Sequence, residues 1–159
     1  MLVERTGFAN FAEQGTGKTL MVIGAMNMLD DIKRTLIVCP NTLKYVWKEE
    51  LLKSLVQRNV FLLDGPSAKR KGIILQAKRN GSGVVIITNY ESLQNISREL
   101  NELAFDLIVA DEAAAIKNHR AKKTKALKLI NGIYKWALTG TPVVQSVLDV
   151  WSIFDWIRP

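Results

Sequence analysis

One cysteine and one histidine are all that the 159 residues contain. A single thiol excludes an internal disulfide framework. Cys39, inside the apolar run Leu36-Ile37-Val38-Cys39, reads as a small buried hydrophobe, which suits a reducing, intracellular setting. The lone His119 has no second histidine and no cysteine pair nearby, so a histidine-based metal site would lack its other ligands, and His119 reads as a surface residue. No apolar stretch approaches the ~18 residues of a membrane-spanning helix. No basic N-terminal region leads into an apolar core, so no signal peptide is visible. Internal repeats and low-complexity tracts are missing as well.

Acidic residues are missing from two long blocks. Lys and Arg number 22 against 15 Asp and Glu, a formal charge of +7. From Ala113 to Leu148 there is no acid, while Lys117, Arg120, Lys122, Lys123, Lys125, Lys128 and Lys135 fall there. A second acid-free block, Gly65 to Tyr90, holds Lys69, Arg70, Lys71, Lys78 and Arg79. This distribution suits a polyanionic partner, and each block alone reads equally as a solvated helix face.

What is present is most informative at residues 12 to 19, Ala-Glu-Gln-Gly-Thr-Gly-Lys-Thr. A triphosphate needs backbone N–H groups that approach it without a side chain in the way. Gly15 and Gly17 supply that approach, Lys18 reaches the β- and γ-phosphates, and the Thr19 hydroxyl can hold Mg²⁺. An apolar run precedes the loop and a helical pattern follows from Lys18, so the phosphates would sit on a helix N-terminus. Glu13, Gln14 and Thr16 complete the candidate nucleotide-binding loop.

Strand-like runs alternate with helical patterns along the rest of the chain. The strands are expected at Phe8–Ala12, Thr35–Cys39, Val60–Leu63, Val84–Thr88, Asp106–Ala110 and Tyr134–Leu138. Helices are expected at Lys18–Leu29, Thr42–Val56, Ser67–Lys78, Ser92–Leu103, Arg120–Ile130 and Ser146–Ile157. Continuous Val/Ile/Leu runs imply strands buried on both faces. The pattern therefore predicts one α/β domain, an open, mainly parallel sheet with helices on both faces. Ligands of such sheets bind at the carboxyl ends of the strands.

Two further segments end strands in polar groups. Phe105 to Ala110 leads into Asp111-Glu112, two carboxylates at the sheet edge. Asp111 would hold Mg²⁺, and Glu112 would orient and deprotonate a water that attacks the γ-phosphate. Ala137-Leu138 leads into Thr139-Gly140-Thr141-Pro142, whose hydroxyls could sense the γ-phosphate. In isolation this last segment is an ordinary turn. The final helix, 147–157, is apolar around nearly its whole circumference and needs cover on every side. That pattern predicts further protein beyond Pro159.

The ordered set resembles the first motor lobe of superfamily-two helicases, specifically the Swi/Snf-type DNA translocases. The matching segments are Glu-Gln-Gly-Thr-Gly-Lys-Thr (13–19), Leu-Ile-Val-Cys-Pro (36–40) with Trp47, and Ile-Thr-Asn-Tyr-Glu-Ser-Leu (87–93). Asp-Glu-Ala-Ala-Ala-Ile-Lys-Asn (111–118) and Leu-Thr-Gly-Thr-Pro-Val (138–143) complete it. The resemblance implies a RecA-like lobe that binds ATP with Mg²⁺ against a second such lobe and hydrolyses it in the presence of DNA. It further implies that Pro40, Asn41, Thr42, Asn89 and Tyr90 contact the phosphate backbone of double-stranded DNA independently of sequence, with Lys117 and Lys44 as added contacts. Asn41 reads equally as a helix N-cap. Thr139, Gly140 and Thr141 would couple hydrolysis to movement.

Three departures qualify that picture. Ala114 stands where the family usually has a histidine or another polar residue, which weakens the link between the hydrolysis centre and Thr139-Gly140-Thr141. No glutamine motif for adenine precedes the loop. Nothing after Pro142 resembles a second lobe or supplies its arginine finger, whose loss lowers turnover by roughly 10³- to 10⁵-fold. The alternative to a motor lobe is a stand-alone nucleotide- or DNA-binding module without effective turnover. Trp136, Trp151 and Trp156 read as core or lobe-interface residues.

Overall fold

The computed structural model describes residues 7–11, 15–54, 57–140 and 147–158. In these, strands and helices alternate as β1 (Gly7–Asn10), α1 (Lys18–Met28), β2 (Arg34–Cys39), α2 (Lys44–Ser54), β3 (Asn59–Leu62) and α3 (Ser67–Arg79). The second half continues with β4 (Val84–Asn89), α4 (Leu93–Asn101), β5 (Phe105–Asp111), α5 (Lys122–Lys128), β6 (Gly132–Leu138) and α6 (Val147–Ile157). All strand pairs are parallel, in the order β1-β6-β5-β2-β4-β3. The open parallel sheet expected from the sequence is the one observed.

The apolar runs explain this arrangement. Successive side chains of a strand point to opposite faces, so a run with no polar alternation needs two covers. Leu36, Val38, Val84, Ile86, Ile108 and Ala110 pack into one core, beneath α3, α4, α5 and α6. Their neighbours Ile37, Cys39, Val85, Ile87, Leu107 and Val109 pack into the other, beneath α1 and α2. Each large side chain so buried contributes about 1.5–3 kcal/mol. The path from β1 through β2 to β3 crosses the sheet one way, and β3 through β6 returns. Right-handed crossovers then put α1 and α2 on one face and the later helices on the other.

Boundaries shift where turn chemistry intervenes. A helix read from Thr42 starts instead at Lys44, because a 3-10 turn (Asn41–Leu43) follows Pro40. Asn41 lies inside that turn, exposed, and so is not an N-cap. The helix expected from Arg120 begins at Lys122. The Asn118 side chain accepts the Arg120 N–H at 2.9 Å, and Ala121 is extended, which holds the turn outside the helix.

Trp136 and Trp156 are core residues, each 1% exposed. Trp151 is half exposed instead, with the His119 ring edge-on against it and the Lys128 ammonium over its face. On the same helix Ser152 is buried and donates its hydroxyl to the Ile116 carbonyl at 2.7 Å, pinning α6 to the segment after Asp111-Glu112.

Candidate nucleotide-binding edge of the sheet

Three strand ends stand level at the carboxyl edge. Leu138 of β6 pairs with Asn10 of β1 on one side and with Asp111 of β5 on the other. The Thr139 N–H extends the pairing by donating to the Asn10 carbonyl at 3.0 Å. Strands lie about 4.8 Å apart, so the end of β1 is separated from Asp111 by about 10 Å, two strand spacings. Thr139-Gly140 and Asp111-Glu112 therefore leave the sheet side by side, and Lys18 of the loop lines a pocket with Asn10 and Leu138 at the same edge. Glu13, Gln14 and Thr141 lie outside the described residues.

The loop has the form a phosphate needs. Gly15 and Gly17 take φ of 83° and 77°, and a Cβ added at either would meet no atom of the described residues within 4 Å. The space against these backbones is open, and only glycine takes such angles without strain. Gly17 caps α1 with no side-chain bond, and no acid sits in the first turn. A helix N-terminus of this kind presents backbone N–H groups and a positive dipole end, which suit an anion. Lys18 is buried in that first turn, Thr19 follows half-buried, and Thr16 is exposed. The positive charge of Lys18 acts on Asp111 and favours its ionised form.

Asp111 is held from both faces of the sheet. From the α2 side, Trp47, 1% exposed, donates its indole N–H to Asp111 Oδ2 at 2.7 Å. From the opposite core, Tyr90 donates its hydroxyl to the Asp111 backbone carbonyl at 2.7 Å. The Glu112 N–H reaches Asp111 Oδ1 at 3.0 Å. Burial pushes the Asp111 carboxyl upward from its ordinary value, and the Trp47 and Glu112 donors pull it back. Burial, with the Asp111 charge second, raises Tyr90 well above a normal phenol and the Cys39 thiol to about 12. Glu112 itself is left-handed, φ 50° and ψ 54°, a conformation that costs a non-glycine residue about 1–3 kcal/mol and turns it out of the strand line.

The segments assigned to DNA are neighbours too, because Cys39 pairs with Asn89 at the ends of β2 and β4. Asn41 and Thr42 are exposed there, and Pro40, Asn89 and Lys117 are half-buried. Asn89 is fixed locally: its Nδ2 donates to Glu91 at 3.0 Å, and its Oδ1 accepts from Ser92, which in turn accepts from Arg70. Two expected contacts point inward. The Tyr90 side chain is 1% exposed and committed to Asp111, so it presents no ring to a nucleic acid. Lys44 is 3% exposed and paired with Asp64 at 2.9 Å, a carboxylate that Tyr45 also satisfies at 2.6 Å. The bond from Trp47 to Asp111 has no reading in the sequence beyond a general rule: a buried tryptophan N–H seeks an acceptor.

A model of the SNF2-related domain matches residues 10–159. The chain belongs to the SNF2-related family. It is 38% identical over 125 residues to the TATA-binding protein-associated factor mot1 of Schizosaccharomyces pombe, covering 79% of this chain and 6% of that one. It is 35% identical over 153 residues to an uncharacterized ATP-dependent helicase of Mycoplasma pneumoniae, covering 92% of this chain and 14% of that one. Among solved structures, the Sulfolobus solfataricus SWI2/SNF2 ATPase core in complex with dsDNA superposes with a TM-score of 0.79 at 29% identity. That match covers 96% of this chain and 31% of the archaeal one. The SNF2-related chain therefore spans a small part of the length of each relative, and its sheet is the RecA-like lobe that the motifs implied.

Proposed function

We propose that this chain is the ATP-binding lobe of a DNA-stimulated ATPase that moves along duplex DNA. The alignment of Asn10, Leu138 and Asp111 carries the reading, since it gathers the glycine cradle and both carboxylates on one edge. The cradle of Gly15 and Gly17, open to an added Cβ among the described residues and leading straight into α1, fits the phosphates of ATP. Glu13 and Gln14 belong to the same loop by sequence. Thr19 and Asp111 fit Mg²⁺, an oxygen-seeking ion, and between them they offer a hydroxyl and a carboxylate. Bound there, Mg²⁺ would neutralise charge on the phosphate oxygens.

The chain's own groups supply the rest. Lys18 brings positive charge to the β- and γ-phosphates. Glu112, turned out of the strand, takes a proton from the attacking water as its oxygen bonds to the γ-phosphorus and the bond to the β-γ bridging oxygen breaks. Thr139 and Gly140 follow the strand beside that centre, and together with Thr141, next in sequence, they would couple it to movement. The exposed edge at Pro40, Asn41, Thr42 and Asn89, with Lys117 close by in sequence to Glu112, is the proposed track for a DNA phosphate backbone. A second RecA-like lobe, facing this edge, supplies the missing arginine. The reading places the protein inside the cell, on DNA.

Fluorescence anisotropy of labelled ATP tests it. The chain should bind ATP with Mg²⁺, Lys18→Ala should abolish that binding, and Glu112→Gln should retain ATP while a parallel phosphate-release assay shows turnover blocked. Unchanged behaviour of Glu112→Gln would favour the alternative, a module that binds without turning over. Ala114, in the turn that follows Glu112 and without the polar side chain usual there, speaks for that second reading.

A further inference from the structure

Asp111 offers about four lone-pair sites, two on each oxygen. The Trp47 indole N–H takes one on Oδ2 and the Glu112 N–H takes one on Oδ1. The Tyr90 hydroxyl holds the carbonyl of the same residue. Rotation of the carboxylate would break at least one of these bonds. It would also leave a buried indole N–H unpaired, a cost of about 1–3 kcal/mol.

We propose that Trp47 is a positioning residue for the divalent cation: by donating to Asp111 Oδ2 it fixes which carboxylate lone pairs face the cleft. It thereby sets the affinity for Mg²⁺ without touching nucleotide or metal. The inference rests on the reading of Asp111 as a Mg²⁺ ligand. Partners that orient metal ligands typically account for 10- to 100-fold in metal affinity. A tryptophan serving only as core filler would be needed for stability and would leave the metal requirement alone. Trp156, equally buried on the other face and with no partner for its N–H among the described residues, is such a residue.

The test is a titration of the purified chain with Mg²⁺ at fixed fluorescent ATP, read by anisotropy, with a parallel titration of nucleotide in EDTA. Trp47→Phe should raise the Mg²⁺ midpoint about tenfold or more and leave metal-free nucleotide affinity within about twofold. Trp156→Phe should lower the melting temperature and leave the midpoint in place. A benzothienyl-alanine at position 47 keeps the ring shape and deletes only the donor, so it decides the matter if Trp47→Phe does not fold. An unmoved midpoint in either folded variant would overturn the proposal. If the unsubstituted chain binds ATP with no Mg²⁺ dependence, the assignment of Asp111 itself falls, and the role of Trp47 with it.

Discussion

Asn10 and Asp111 lie level with one another on either side of Leu138, one strand between them. That alignment brings the residues after β1 and after β5 into one site although most of the chain separates them.

Gly17→Val is expected to separate stability from binding. No atom of the described residues lies within 4 Å of the added Cβ, so the Cβ itself causes no clash with them. The φ of 77° still strains a branched residue by about 1–2 kcal/mol. The branched side chain would occupy space proposed for a phosphate, so ATP affinity should fall far more than the melting temperature. Calorimetric melting and ATP anisotropy on the same sample check this, and equal affinity would remove the loop from the site.

Lys117→Ala should weaken duplex binding alike for all sequences. One phosphate contact fewer lowers the slope of log affinity against log salt by about 1. Anisotropy of labelled duplexes of two sequences at several salt concentrations gives both numbers. A slope that does not change would place Lys117 off the DNA.

The Asp64 carboxyl is held well below its usual range by the Tyr45 hydroxyl, then by the Lys44 ammonium and the Gly65 N–H. A depressed folded value means that its contribution is complete above the unfolded value of 3.8 and is lost as pH falls through the lower folded one. Asp64→Asn should therefore lower the melting temperature near neutrality, leaving buried Lys44 without its counter-charge. The difference from the unsubstituted chain should shrink as pH drops below 3.8. Melting curves across the acid range would show a constant difference if the pair were inert.

Cys39 is wholly buried and its thiol is raised to about 12, so almost no thiolate exists near pH 8. Thiol reagents should fail to modify the native chain and should label it at the rate at which it unfolds. Rapid labelling without denaturant would contradict the buried position.

The sequence was most legible where one element could be read by itself. Every strand and helix expected from the apolar runs is present, because Leu36 to Cys39 or Val84 to Ile87 can be buried only between two layers. The loop and Asp111-Glu112 were legible because glycine spacing and strand-end carboxylates carry their chemistry locally. Pairings across the fold were not. The pattern puts Tyr90 between a strand and a helix and Lys44 at a helix start, but does not show that Asp111 and Asp64 wait opposite them. The same holds for Trp47, whose acceptor lies on a strand far away in the chain. Asn118 shows the smaller error: one side-chain bond to the backbone postponed a helix that periodicity alone would start at Arg120.

The two grips on Asp111 have a consequence for how substitutions combine. A sheet between two helical layers normally keeps their cores apart, and changes made more than about 7–10 Å from one another add independently. Here Trp47 belongs to one core and Tyr90 to the other, and both terminate on one residue. Changes that displace them from opposite sides will not add, because each alters the footing of the other. The two halves of the interior are therefore tied to one another at Asp111, the residue on which the proposed chemistry depends.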